Sequence, residues 1–434
     1  MFELSEDHEL FRKTVREFAD QEIAPHVAQW DREHFFPVDV VRKMGELGLF
    51  GLAVPEQYGG SGGDFTSVCV AIEELGRVDQ SLGITLEAGM GLGINPILTF
   101  GTEEQKQRWI PDLAAGQALA GFGLTEPEAG SDAGATRTRA ELVGSEWVIN
   151  GAKAFITNSG TEITSLVTIT ARTGPDEISA IIVPSGTPGF VVEPPYEKLG
   201  WHISDTHGLT FTDCRVPAEN LLGERGAGFR QFLAALDDGR IAISALAVGL
   251  AQACLDHSLR YANERHTFGA PIGSRQAVAF SLSDIAVGVE AARLLTYKAA
   301  WLRDSGRPAA EIKQAAARAK LFSSEAAMSA ARTATQVFGG NGFMEEFPVA
   351  RFYRDAKILE IGEGVRGAAH AHCPWPRPAC LMIRRERLPI RTARFAGARL
   401  GSRTAPPART QARFARARRA LRASANRVGG HRVR

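Results

Sequence analysis

Long apolar runs, clustered cysteines and net charge are what this 434-residue sequence lacks. Its 50 Lys and Arg nearly cancel 49 Asp and Glu, leaving +1. The start, Met1-Phe2-Glu3-Leu4-Ser5-Glu6-Asp7, is acidic and has neither the basic residues nor the apolar core of a signal peptide. The most apolar stretch, 241–254, is too short to span a bilayer and carries Ser244 and Gln252, so a buried helix is expected there. Five cysteines are too few and too scattered for a disulfide framework. Cys69, Cys214 and Cys254 show no CxxC spacing or histidine pairing, which excludes the common metal sites. A reducing cytoplasm is the expected location, without a membrane span. No Ser-His-Asp order, P-loop or internal repeat is present.

The missing charge is a cancellation. Residues 366–434 hold 18 Arg, no Lys and one acid, Glu386, for a net +17. The preceding 365 residues hold 32 basic and 48 acidic side chains, a net −16. Deliberate nucleic-acid binding is therefore not expected of the main body. The Arg, Ala and Pro content of the tail predicts disorder.

Periodicity divides the main body into helical, β and helical parts. Near the start, Leu10, Val15, Phe18 and Ile23 recur at helical spacing before Pro25. Thr102-Glu103-Glu104-Gln105 reads as a capping box, and the glycine-rich stretch 54–65 as a long loop. From about Gly116, short β-rich runs replace the helical pattern. Asn150-Gly151 between 146–149 and 153–157 predicts a type I′ hairpin, and further strands are expected at 166–171, 178–183, 190–193 and 208–211. Beyond Gly228, three long amphipathic stretches at 229–261, 274–305 and 308–338 predict an antiparallel bundle. The expected fold is α+β and multidomain: an N-terminal α-helical domain at 1–117, a middle β-barrel-like domain at 118–225, a C-terminal four-helix-type bundle at 226–364, and the basic tail at 365–434.

Phe122-Gly123-Leu124-Thr125-Glu126-Pro127-Glu128-Ala129-Gly130-Ser131-Asp132 enters the β region with small residues that admit close backbone approach to a ligand, and with hydroxyls at Thr125 and Ser131. By itself it reads equally well as a glycine-rich turn. Five further segments follow in fixed order: Lys153-Ala154-Phe155-Ile156-Thr157-Asn158, Leu236-Asp237-Asp238-Gly239-Arg240-Ile241, Asn263-Glu264-Arg265-His266-Thr267-Phe268-Gly269, Gln336-Val337-Phe338-Gly339-Gly340-Asn341-Gly342, and Tyr353-Arg354-Asp355-Ala356 leading to Ile361-Gly362-Glu363-Gly364. Together they resemble the acyl-CoA dehydrogenase family from about Leu4 to Gly364.

The resemblance implies FAD as cofactor, acyl-CoA as substrate, electron-transfer flavoprotein as electron acceptor, a homotetramer, and no metal. It places Phe122, Leu124, Thr125 and Ser131, then Phe155, Ile156 and Thr157, at the flavin. It aims Arg265, Phe268 and Gln276 at the FAD of a neighbouring subunit, and sets Gln336, Gly339 and Gly340 against the dinucleotide. Ser131, Asp237, Arg240 and Gly364 are implied in substrate binding. Glu363 is implied as the general base that removes the α proton while the β hydride goes to flavin N5, giving a trans-2-enoyl-CoA. Some subfamilies carry the base on the preceding helix, but the equivalent position here is Gly239. Phe155 stands where many relatives have tryptophan. An acyl-CoA oxidase on the same fold, and a flavin-containing DNA-associated protein of the alkylation-response type, are the alternatives.

After Gly364 the resemblance stops. Permitted codons for 365–375, read one nucleotide later, can encode Ser-Glu-Val-Gln-Arg-Met-Leu-Ile-Ala-Arg, which resembles the family's missing ending, and Leu381-Met382 can hide a stop. Residues 365–434 are expected to be a frameshifted translation.

Overall fold

The computed structural model describes residues 4–364. The frameshift and disorder expected of 365–434 lie outside the described residues.

Seven helices form the N-terminal part: α1 (Glu6–Phe18), α2 (Val27–Glu33), α3 (Val38–Glu46), α4 (Phe65–Val78), α5 (Gln80–Glu87), α6 (Asn95–Phe100) and α7 (Glu103–Ala114). Helices α4, α5 and α7 each start on a side-chain acceptor. Asp64 takes the Ser67 amide at 2.8 Å and Asp79 the Leu82 amide at 2.8 Å. In a capping box, the Thr102 hydroxyl accepts the Gln105 amide and the Gln105 side chain accepts the Thr102 amide. A π-helical turn, Ala88–Ile94, links α5 to α6. Such turns recur at functional sites because the extra residue redirects side chains.

The middle part is a sheet of β1 (Leu119–Gly123), β2 (Arg139–Val143), β3 (Glu146–Thr157), β4 (Thr164–Gly174), β5 (Glu177–Pro184), β6 (Phe190–Pro195), β7 (Thr206–Pro217) and β8 (Leu221–Leu222). Its path is β6-β7-β3-β2-β4-β5-β8, with β1 parallel to β4. Trp147, Ile149, Val167, Ile169, Ile181 and Phe211 fill the core of one face.

Two expectations fail here. The sheet does not close as a barrel, because its end strands, β6 and β8, do not pair. β8 is only two residues long, and β6 ends in Pro194-Pro195, which lack amide donors for a further ladder. The Asn150-Gly151 hairpin is also absent. β3 runs through it, and the register with β7 slips between Ile149 and Gly151. Asn150 instead exchanges hydrogen bonds with Asp213, at 3.1 and 2.9 Å, while Gly151 sits at φ +149° with its Cα facing Thr138. The tight turn lies earlier, at Gly144 (φ +64°), between β2 and β3.

Three long helices follow, α8 (Gly228–Glu264), α9 (Gln276–Asp304) and α10 (Ala309–Phe338), with a short ribbon of β9 (His266–Thr267) and β10 (Ala270–Pro271) before α9, and a short α11 (Pro348–Ala356) after α10. The fourth long helix expected of the bundle is not among the described residues. The apolar run 241–254 lies inside α8, buried between α4 on one side and α9 and α10 on the other. Gly249 makes the α4 crossing possible, since a Cβ there would stand 2.3 Å from the Glu73 carbonyl oxygen. Asp304 at the end of α9 accepts the Phe65 and Thr66 amides at 2.8 and 3.0 Å, tying the helical parts together. Among the described residues no helix is long and apolar enough to cross a membrane.

Candidate active site

Glu363 follows α11 and the helical turn Lys357–Glu360. Its backbone lies in the left-handed region at φ 56°, uncommon for a residue with a side chain. Two buried cations hold the approach: Lys320 Nζ of α10 donates to the Leu359 carbonyl, and Arg240 Nε of α8 donates to the Glu363 carbonyl at 3.4 Å. The residue is partly exposed, but Oε2 is sealed from solvent and has no hydrogen-bond partner. Burial pushes the carboxyl up to about 7, against the opposing pull of Lys320 and Arg240. Burial also draws Lys320 down to about 8.

Gly239 makes room for this carboxylate. A Cβ at Gly239 would stand 2.7 Å from Glu363 Oε2, so a glycine is needed for the carboxylate to occupy its place. Gly239 also walls a cavity of about 90 Å³ between α4, the turn Ala88–Ile94 and α8. Val68, Ile72, Met90, Ile94 and Ala242 make most of its lining apolar. Glu87, Asn95, Asp238 and Arg303 are the polar members. A larger cleft of about 340 Å³, bounded by Asp20, Arg77, His257 and Glu346, contains none of the predicted site residues.

A second group assembles where β1 runs into the glycine-rich loop. Phe122 is buried and stacks on Phe232 of α8 at 4.0 Å between centroids, and Leu124 is buried beside it. The half-buried Thr125 accepts the Ala154 amide at 2.9 Å, which brings the loop against β3. Glu126 locks it there: its carboxylate takes the Lys153 ammonium at 2.7 Å, the amides of Arg137 and Thr138 at 2.6 and 3.1 Å, and the Thr136 hydroxyl. Lys153 Nζ also reaches the Leu124 carbonyl at 3.4 Å. Beyond this lock, Phe155 turns outward at φ 61° and is 65% exposed, while Ile156 is buried and Thr157 half-buried. Ser131 is exposed, and Gly130 has nothing within 4 Å of where its Cβ would lie. An exposed aromatic face beside hydroxyls and an open glycine loop fits a flat, phosphate-bearing cofactor.

A third group lies at one end of the bundle. Arg265, Phe268, Gln276, Gln336, Gly339 and Gly340 are all exposed there, Phe268 to 97%. Tyr261 of α8 stacks on Phe338 of α10 at 4.0 Å and so joins the two helix ends that carry them. Among the described residues, no hydrogen bond or ion pair links this group to Thr125, Phe155 or Glu363. Within one chain, therefore, the bundle-end residues stand apart from the other predicted residues.

Three placements differ from, or add to, what the sequence suggested. Arg240 is buried and engaged with Asp237 and with the Glu363 backbone, so it supports the carboxylate position from behind. Lys320 went unnoticed, because one lysine in an amphipathic helix reads as a surface charge. Glu87 went unnoticed too. Its only signal is its isolation as the one acid in the apolar run 81–98.

Comparison with known proteins matches the three parts of the chain in order. The acyl-CoA dehydrogenase N-terminal domain matches residues 5–117, the middle domain 121–214 and the C-terminal domain 226–369. The Bacillus subtilis protein named "Probable acyl-CoA dehydrogenase YngJ" is 51% identical over 366 residues, covering 84% of this chain and 96% of that one. Rat mitochondrial short-chain specific acyl-CoA dehydrogenase is 46% identical over 364 residues, 83% of this chain and 88% of its own. The structure of butyryl-CoA dehydrogenase from Megasphaera elsdenii superposes with a TM-score of 0.83 at 40% identity, covering 86% of this chain and 98% of that one. The chain belongs to the acyl-CoA dehydrogenase family of FAD-dependent oxidoreductases.

Proposed function

We propose that this chain dehydrogenates short acyl-CoA thioesters between Cα and Cβ, with Glu363 as the general base. The observation that carries this reading is the Glu363 carboxylate, unpaired at Oε2 and set against Gly239, which walls a small, mostly apolar cavity. The α proton of a thioester is weakly acidic, so its removal needs a desolvated carboxylate of raised pKa. Val68, Met90, Ile94 and Ala242 exclude water from the acyl chain. At about 90 Å³ the cavity suits a chain of a few carbons rather than a long one. Arg240 and Lys320 act as positioning residues, holding the backbone on which the base is mounted.

Thr125, Phe155 and Thr157, with Ser131 nearby, would hold FAD on the β-domain side. When bound, FAD supplies the acceptor for the β hydride. Arg265, Phe268, Gln276, Gln336 and the glycines 339 and 340 would complete the cofactor site of a neighbouring copy in a tetramer. The exposure of Phe268, Phe280 and Phe343, at 97%, 60% and 86%, supports burial against other copies. Electron-transfer flavoprotein is the proposed acceptor, and peroxide release in air would mark the oxidase alternative. Nothing observed favours the DNA-associated alternative.

Because the base must be ionised, anaerobic flavin reduction by butyryl-CoA should rise with pH through about 7 and level off above it. Rapid mixing from about pH 5.5 to 9 measures this. A flat profile would remove Glu363 from the role, and no bleaching at all would overturn the dehydrogenase reading.

Gly239→Ala tests the geometry. The new methyl would meet the movable end of the Glu363 side chain, 2.7 Å from Oε2, so the carboxylate should yield and the fold should not. We expect kcat to fall about 10- to 100-fold, as displacements near 1 Å do, with little change in Tm. An unchanged kcat would show that the base does not work from this position.

A further inference from the structure

Glu363 is not the only acid that approaches Gly239. Glu87, the last residue of α5, is 1% exposed, and neither of its carboxyl oxygens has a hydrogen-bond partner. It stands where the chain enters the π-helical turn Ala88–Ile94, and its side chain lines the acyl cavity. The position a Cβ would take on Gly239 is 3.4 Å from Glu87 Oε1 and 2.7 Å from Glu363 Oε2, so the two acids face the same point. A Cβ at Gly91 would lie 3.2 Å from Glu87 Oε1, so a second glycine keeps side-chain bulk off that oxygen. The neighbouring charges are already engaged, Asp238 by Arg303 and Arg240 by Asp237. Nothing in the chemistry assigned to Glu363 requires Glu87.

Burial and the nearby Glu363 keep Glu87 protonated, raising its carboxyl well above the usual range. A neutral carboxylic acid offers one O–H donor and one carbonyl acceptor. Neither bond is made within the chain, since both oxygens are buried without a partner. A purely alkyl chain would leave both unmade. An acyl group with a hydroxyl on its terminal carbon would supply both. A carboxylate there would instead place a second negative charge beside Glu363.

We infer that this chain, read as an acyl-CoA dehydrogenase, selects short acyl groups that carry an uncharged hydrogen-bonding substituent, and that Glu87 is the residue that selects them. Sites with a buried polar group reject analogues that leave it unpaired far more strongly than apolar pockets reject an extra group.

The test compares 4-hydroxybutyryl-CoA with butyryl-CoA on the FAD-loaded wild type, Glu87→Gln and Glu87→Leu. The wild type should favour the hydroxylated ester in kcat/KM by at least about tenfold, the scale of one buried hydrogen bond left unmade. Glu87→Gln, which keeps a donor and an acceptor, should retain the preference in weaker form. Glu87→Leu should reverse it by raising kcat/KM for butyryl-CoA. The same order should appear in the Kd values of the two enoyl-CoA products, measured by calorimetry, where turnover plays no part. A wild type that prefers butyryl-CoA, or a Glu87→Leu variant with an unchanged ratio, overturns the selectivity and leaves the dehydrogenase reading standing. Failure of both esters to reduce the flavin sinks both.

Discussion

Glu363→Gln is expected to lower kcat for flavin reduction by about 10⁴-fold while raising thermal stability above neutral pH. The loss of rate follows from chemistry, because an amide cannot take the α proton and general-base contributions reach that size. The gain in stability follows from linkage. Burial holds the Glu363 carboxyl near 7, well above its unfolded value of 4.5. Between those values the folded chain binds more protons than the unfolded one, so stability falls as pH rises through that window. Above about pH 7 the folded protein carries a buried carboxylate at a cost of about 3 kcal/mol. Glutamine is nearly isosteric and neutral at every pH, so it removes this cost. Tm should therefore rise at about pH 8, and the gain should vanish below about pH 4.5. Scanning calorimetry at both values, with stopped-flow reduction, checks the pair of effects. A variant that loses rate without gaining stability at high pH would mean that the carboxylate is not destabilised where it stands, and its raised pKa would need another cause.

What could be read in advance divides along physical lines. The capping box at Thr102 and the long helices of the bundle depend on residues three to seven apart, and the chain carries that information locally. Asn150-Gly151 is the counterexample. The dipeptide permits a hairpin, yet Asp213, 63 residues away, claims the Asn150 side chain, and the strand continues. Closure of the sheet failed for a related reason, since it depends on two strand ends far apart in sequence. At the site, the six segments named the family and its conserved chemistry. They could not reveal that Arg240 turns toward the Glu363 backbone, or that Lys320 braces it from another helix. Glu87 was hidden differently. A lone acid in an apolar helix is usually solvated at one edge, and only the fold shows both its oxygens buried without partners beside a cavity. The residues that positioned themselves legibly are those that act on near neighbours in sequence. The ones missed act across the junction of α5, α8 and α10.

Lys153→Met should cost about 3–5 kcal/mol of stability and loosen FAD retention, because it strands a buried carboxylate. Lys153 is 1% exposed, and its ammonium is the only full positive charge bonded to Glu126 among the described residues. The two partners move in opposite senses. Burial draws the Lys153 ammonium down to about 8, whereas Lys153 together with the Thr136 hydroxyl and the Arg137 amide holds the Glu126 carboxyl down to about 2. The carboxylate has more donors than the ammonium has charged acceptors, so its preference for the ionised form governs the pair at neutral pH. With the folded value depressed, its stabilising contribution is present above about pH 4.5 and is lost as pH falls from there through about 2. Removing Lys153 should raise the Glu126 value and move that acid loss to higher pH. The loop carrying Thr125 would lose its anchor at the same time, since Lys153 also reaches the Leu124 carbonyl. Urea unfolding at neutral and acid pH, with the flavin-to-protein absorbance ratio, measures both effects. Lys153→Met combined with Glu126→Gln should recover part of the stability, because the stranded charge, rather than the lost attraction, accounts for most of the penalty. If the double variant were no more stable than Lys153→Met, the cost would lie in packing around the lysine stem. The ion pair would then be incidental to how the flavin loop is held.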